Sequence, residues 1–300
     1  MERGEIPVAS LPGGFDLQST VESGQSYLWN REDGRMYETD APYGGSAWYW
    51  TAVRTGDGPA VIRTRQVEGR LEWESNVDAT PHLRRLLRLG DDLAAIRAAT
   101  PDDPLLARAY DAYEGMRIVR DPPFGALISF ICSAQMRVAR IHGMQRELAR
   151  AFGDPVAFDG RTYRAFPTPE RLAEATETQL RDLGLGYRAP YVRDTAAMVA
   201  EGEADPADAR GMAYESAREY LTRFVGVGQK VADCVLLFSL GFLQAVPLDT
   251  WIRKTIAEYY PDCDRGSYAE TSRAIRDQFG GEYAGYAQTY VFHYLRNGGE

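Results

Sequence analysis

The chain has 300 residues, 44% of them hydrophobic, with 34 basic against 43 acidic residues and a formal charge of −9, enough for one large domain or two of ordinary size. Three cysteines without CxxC spacing (132, 234, 263) and three scattered histidines (82, 142, 293) argue against a disulfide framework, an iron–sulfur cluster or a protein-held metal, so no cofactor is expected. The start MERGEIPVASLPGGF lacks the apolar stretch of a secretory signal, and the longest apolar run, CVLLFSLGFL, is too short to span a bilayer; a soluble, cytoplasmic protein is expected (nucleoid-associated, or nuclear if eukaryotic).

Residues 14 to 75 read as strands. FDLQSTV, SYLWN, AWYWTAVR, PAVIRTR and GRLEWES are short, β-branched or aromatic, and separated by turns such as REDGR and TGDGP. From about residue 78 the apolar period becomes helical, in HLRRLLRL, LAAIRAA and LLARAYDAY. PPFGALISFICSAQ opens a helix with proline and an aromatic at its entry. Helical stretches follow in VARIHGMQRELARAF, PERLAEATETQLRDL, APYVRDTAAMVAE, YESAREYLTRF, KVADCVLLFSL, DTWIRKTIAEYY, YAETSRAIRDQF and AGYAQTYVFHYLRN. The expected fold class is α+β. An N-terminal antiparallel sheet domain with flanking helices, residues 1–118, packs on an all-helical body, residues 119–300.

Only Lys230 and Lys254 are lysine, which leaves 32 of the 34 basic residues as arginine. The acidic excess by itself argues against nucleic acid, whose phosphates need cationic partners. It also suits a high-salt cytoplasm, where a Debye length of about 3 Å at 1 M salt silences distant charges and a local arginine cluster still grips phosphate.

Lys230 stands out by position. In YLTRFVGVGQKVADCVL one helix ends at Phe224, a Gly-Val-Gly hairpin intervenes, and a second helix begins near Lys230. Gly226 and Gly228 permit backbone conformations closed to other residues, and their N–H groups with the new helix's N-terminus can point at one phosphate. A neutral amine there can attack C1′ of a nucleotide, and desolvation and the helix's positive end both favour the neutral form. Asp249, nineteen residues on, can deprotonate the incoming amine or stabilise oxocarbenium charge. Taken alone, the hairpin reads as a tight helix connection, Asp249 as an N-cap and Lys230 as an exposed helix-terminal lysine.

Gly226-Val227-Gly228-Gln229-Lys230-Val231-Ala232-Asp233-Cys234, followed by Gln244-Ala245-Val246-Pro247-Leu248-Asp249, resembles the helix-hairpin-helix glycosylases. More narrowly it resembles the 8-oxoguanine DNA glycosylase/AP lyases of the eukaryotic type, with an archaeal, halophilic source expected. SGQSYLW, PPFGALISFICS, ARIHGM, LGLGYRAPYV and AGYAQTYVF each resemble a family block, in order along nearly the full chain. The resemblance implies Lys230 as nucleophile, forming a Schiff base, and Asp249 as the catalytic carboxylate. It implies Gln288 on the Watson–Crick edge of an extruded base, Phe292 and Cys234 on its two faces, and the Gly24 carbonyl on the N7–H that oxidised guanine alone offers. It implies Arg140 and Arg188 as readers of the orphaned cytosine and Tyr187 as the wedge in the stack. Gln135 stands where the family has asparagine, and Trp251 where it has a histidine expected to contact phosphate. The expected partner is double-stranded DNA containing 8-oxoguanine, bound by a monomer without a membrane or an iron–sulfur cluster. The rival readings are a glycosylase for oxidised pyrimidines or mispaired adenine, and a non-catalytic helix-hairpin-helix DNA-binding module.

Overall fold

The computed structural model describes residues 1–38 and 46–299. Its N-terminal sheet is antiparallel with strand order β1-β5-β4-β3-β2, formed by β1 (Glu2–Pro7), β2 (Asn30–Arg31), β3 (Tyr49–Thr55), β4 (Gly58–Val67) and β5 (Arg70–Ser75). The expected sheet is therefore present, and β3 to β5 fall on the alternating segments read from the sequence. Burial alternates strictly along β5, as a half-buried strand requires.

Two of the five expected strands are different. FDLQSTV is the helix α1 (Leu17–Glu22), because Asp16 caps it, its carboxylate accepting from the Ser19 N–H at 2.7 Å. That cap, together with complete burial, overrides the β-branched Thr20 and Val21. SYLWN is irregular up to Asn30, where β2 begins. Strand β1 has only Ile6 buried, too faint an apolar pattern to stand out in sequence. It is held instead by its register on β5, with Ile6 opposite Leu71.

The helices follow as α2 (Thr80–Leu86), α3 (Leu93–Ala98), α4 (Pro104–Ala112), α5 (Pro123–Ile131) and α6 (Val138–Phe152). A hairpin of β6 (Pro155–Phe158) and β7 (Arg161–Arg164) turns at Asp159-Gly160, both at positive φ. Next come α7 (Pro169–Ala173), α8 (Glu177–Leu180), α9 (Ala189–Ala200), α10 (Tyr214–Leu221), α11 (Gln229–Val235), α12 (Thr250–Tyr259), α13 (Tyr268–Gln278) and α14 (Ala284–Arg296). Among the described residues no helix is long and apolar enough to cross a membrane.

One apolar core lies between the sheet and α1 and α2. A larger one runs through the helical body and takes in α3 and α4. Between the two sits Arg117, 1% exposed, whose guanidinium donates to the carbonyls of Pro12, Gly14, Arg88 and Asp91 at 2.7 to 3.3 Å. Gln25, equally buried, donates to the Arg117 carbonyl at 2.8 Å and accepts from the Val119 N–H at 2.9 Å. These bonds fix the segment around residues 23 to 29 to the helical body.

Asp121 extends the seam. Burial pushes its carboxyl up to about 7, against a hydrogen bond from Ser26 and the charge of Arg85 that pull it down. An unfolded aspartate titrates near 3.9, so between about pH 4 and pH 7 the folded state holds a proton the unfolded chain has lost. Stability from this group is complete below pH 4 and declines as pH rises towards 7. Asp121→Asn should therefore flatten the pH dependence, raising Tm most above pH 7 and least at pH 4; thermal denaturation across this range tests the sign.

Candidate active site

Between α10 and α11 the chain makes the glycine hairpin. Gly226 has φ +81°, and a Cβ there would lie 2.8 Å from the Tyr191 ring, so only glycine fits. Gly228 is the N-cap of α11 in extended conformation with open space before it. The first turn of α11 carries Lys230, which is half-buried, and its Nζ donates to Ser133 Oγ at 2.9 Å. Ser133 in turn donates to the Phe130 carbonyl at 2.7 Å, so the hydroxyl that receives the amine is itself anchored at the end of α5. Lys254, by contrast, is exposed on α12.

Asp249 does cap α12, accepting from the Ile252 N–H at 2.8 Å. Burial raises its carboxyl above the usual range, and the Ile252 N–H, the Lys230 ammonium and the Arg296 guanidinium draw it back. Capping and apposition to Lys230 thus coexist. The spacing between α11 and this loop is set by a buried relay. Asp233 on α11 accepts from Tyr214 and Tyr268, each at 2.7 Å, and the Tyr268 hydroxyl accepts from the Leu248 N–H at 3.2 Å. Cys234, one turn beyond Lys230, is buried, and its thiol is pushed up to about 12 mainly by desolvation. It presents a neutral, apolar surface.

The second wall comes from α14 and the turn before Ser26. Gly24 has φ +93°, and a Cβ there would lie 2.9 Å from Arg296 Nη1 and 3.5 Å from the Phe292 ring. Gln288 lies one turn before Phe292 and is 4% exposed, its Oε1 within 3.4 Å of Thr289 Oγ1. Buried Tyr27 joins the two walls, because its phenol feels the charges of Asp249 and Arg296 as well as Cys234. Gly285 seats α14, its N–H donating to the Leu243 carbonyl at 2.7 Å. A Cβ on Gly285 would stand 2.6 Å from that oxygen.

Sequence reasoning missed Arg296. Its guanidinium donates to the carbonyls of Ser23 at 3.0 Å and Glu22 at 3.1 Å, and lies 5.3 Å from the Phe292 ring centroid. It also reaches His293 Nδ1 at 3.2 Å. Burial, then the Arg296 charge, pushes that imidazole down to about 3. Arg296 is three residues beyond His293 and four beyond Phe292 on one helix, a spacing that marks a shared face but does not reveal the carbonyls it meets. Ser133 was missed for the same reason: its partner lies 97 residues away.

The remaining expected residues lie towards the surface. Tyr187 is 51% exposed and packs edge-on to Tyr191, 37% exposed; Trp251 is 38% exposed. Tyr191 packs against Gly226, so these two tyrosines flank the glycine hairpin with part of each ring exposed. Gln135 is exposed with φ +55°, a conformation in which asparagine is commoner than glutamine. Arg140 donates to the Gly184 carbonyl at 3.3 Å. Arg188 is 3% exposed, donates to the Ala134 carbonyl and stacks on Tyr187 at 4.3 Å. Unlike Arg140, it is buried and ties the 134–135 turn to the 187–188 turn.

Two helices joined by a glycine hairpin, with a first-turn lysine whose charge is felt by a buried carboxylate, are the features of a helix-hairpin-helix DNA glycosylase. Residues 128–279 match the model of the HhH-GPD superfamily of base excision DNA repair proteins, and residues 8–127 that of the 8-oxoguanine DNA glycosylase N-terminal domain. A probable N-glycosylase/DNA lyase of Methanothermobacter thermautotrophicus is 31% identical over 98% of this chain and 96% of its own. The chain also superimposes on MBOgg1 solved with a low-affinity DNA ligand, with TM-score 0.83 and 30% identity over 98% of this chain and 95% of that one. A Clostridium acetobutylicum 8-oxoguanine glycosylase/lyase, solved on double-stranded DNA with cytosine opposite the lesion, gives TM-score 0.79 and 29% identity over 94% and 92%. The chain belongs to the 8-oxoguanine DNA glycosylase family of N-glycosylase/DNA lyases.

Gly24→Ala places a side chain at positive φ and against Arg296. We expect it to destabilise the protein by about 1–3 kcal/mol, with a partial return of stability when combined with Arg296→Met. Urea denaturation of the single and double variants measures both.

Proposed function

We propose that the protein excises 8-oxoguanine from duplex DNA, preferably opposite cytosine, and then cleaves the abasic strand. The reading is supported by the electrostatic coupling of Lys230 with the buried Asp249 and by the close approach of Gly24 to Phe292. In the proposed mechanism the neutral Lys230 amine attacks C1′ of the extruded nucleotide. The bond from C1′ to the base breaks, its electron pair leaves with the base, and the base takes up a proton. The ionised Asp249 stabilises the positive charge that develops on the sugar. The bond between C1′ and the ring oxygen then opens to give a Schiff base. Loss of a C2′ proton expels the 3′ phosphate by β-elimination, and water releases the lysine.

The same geometry supports a reading of specificity. Phe292 and Cys234 enclose the base, Gln288 reads its Watson–Crick edge, and the Gly24 carbonyl accepts the N7–H that undamaged guanine does not have. An unpaired buried acceptor facing a lone pair costs about 1–3 kcal/mol, which supports rejection of normal guanine. Tyr187 wedges the stack, Trp251 and the Gly226/Gly228 hairpin meet phosphate, and Arg140, Arg188 and Gln135 respond to the opposite base. The protein acts on its DNA as a monomer without a cofactor.

Borohydride should trap a protein–DNA adduct on an 8-oxoguanine duplex, and Lys230→Gln should abolish it while binding persists. Asp249→Asn should lower the single-turnover rate by about 10²–10⁴-fold and change stability by under about 1 kcal/mol, since asparagine also caps helices. Adduct formation that survives in Lys230→Gln refutes the assignment.

Because Asp249 must be ionised, excision should fall as pH drops through its raised pKa. Arg296→Met removes a charge that lowers this pKa, so the acid limb of the pH–rate profile should move to higher pH. Single-turnover rates opposite the four bases should favour cytosine. Gln135→Asn should sharpen the preference and Arg188→Ala flatten it; equal wild-type rates would show that the opposite base is not read.

A further inference from the structure

A cavity of about 750 Å³ lies behind the segment that carries Gly24, between β3, the start of α5, α6 and the β6–β7 hairpin. Residues Tyr27 to Asn30 line it, whereas Lys230, Asp249, Gln288 and Phe292 do not. It is thus separate from the site described above, and its size is within the range of small-molecule pockets.

Its walls have two characters. Trp50, Tyr163, Phe124 and Phe166 form an aromatic side, with Trp50 edge-on to Tyr163 at 4.9 Å and Phe124 tilted against Phe166 at 6.4 Å. The charged lining is seven arginines (54, 85, 146, 150, 161, 164, 210) against three carboxylates (Asp121, Glu147, Glu170). That is an excess of four positive charges in a chain whose formal charge is −9. Arg54, Arg150 and Arg161 are paired with carboxylates. Arg85, Arg146 and Arg210 have no carboxylate within salt-bridge distance among the described residues. Arg85 is held below its usual pKa by burial and by the neighbouring charge of Arg210.

Asp121 lies at the entry to α5 on the same lining, and burial raises its carboxyl towards neutral pH, which lessens the negative charge set against these arginines.

We propose that this cavity is a second ligand site, for an anion that carries a flat aromatic ring, of which a nucleoside monophosphate is the simplest biological form. The ring packs among Trp50, Phe124 and Phe166, and the phosphate lies on the neighbouring Arg85 and Arg210. The inference stands on the cavity and does not depend on the substrate proposed above.

Calorimetric titration of the full chain with dGMP, guanosine and inorganic phosphate tests it. We expect dGMP to saturate one site and to bind at least about tenfold more tightly than either fragment. Arg85→Glu/Arg210→Glu, which reverses both charges of the pair, should weaken dGMP at least about tenfold and leave borohydride trapping on DNA within about twofold. Phe292→Ala should leave dGMP binding unchanged. The proposal is overturned if dGMP does not saturate in the millimolar range, or if phosphate alone binds as well as dGMP. It is also overturned if binding is lost in Phe292→Ala but kept in the double arginine variant, which would place the nucleotide in the base pocket.

Discussion

The buried guanidinium of Arg117 is the constraint on which the site depends. It leaves water to satisfy four carbonyls from two parts of the N-terminal region. The Gln25 carboxamide then carries the connection to the backbone of residues 117 and 119. A charge so deeply buried is tolerated only when its donors are satisfied, so the carbonyls must stay where they are. The result is a stiff junction between sheet domain and helical body, one residue away from Gly24. A backbone carbonyl can discriminate between two bases only if it cannot move to suit either.

Arg296 completes the same arrangement from the opposite side. It holds the carbonyls of Glu22 and Ser23, so the three carbonyls of residues 22 to 24 cannot all turn inward, and it covers the Phe292 ring. Its charge is also felt by Tyr27 and Asp249. Gly24, Phe292 and Asp249 therefore share one largely buried cation. The Asp233–Tyr268–Leu248 relay does for the Lys230 to Asp249 spacing what Arg117 does for Gly24. In each case a buried charge with several fixed partners, and not a loop's own stiffness, sets the geometry.

The overall charge of −9 and a polyanionic ligand are reconciled locally. Counterion release depends on the phosphates a surface actually neutralises, not on the sum over the molecule. The surface next to Lys230 offers glycine N–H groups and a helix N-terminus, short-range donors that salt screens less than it screens long-range attraction. Arginine, whose guanidinium is less strongly hydrated than an ammonium, suits both the buried seams and this surface.

The sequence alone determined what depends on residues near one another in the chain. The glycine hairpin with Lys230 and the alternation of β3 to β5 are local. So are the helical periods and the Asp249 cap, because dihedral freedom, side-chain period and capping act over a few residues. Family resemblance extended that to Gly24, Gln288 and Phe292, which no local rule would single out. Where tertiary burial outweighed local preference the reading failed: FDLQSTV became a fully buried helix, and β1 exists through its partner strand. Only the tertiary structure decided that Ser133 meets Lys230, that Arg296 grips residues 22 and 23, and that Arg188 is buried against Ala134. It alone disclosed the cavity behind Tyr27. Such partners lie tens to hundreds of residues apart, and a hydrogen bond or a shared void leaves no periodic trace in the chain; it exists only once the cores have brought the walls together.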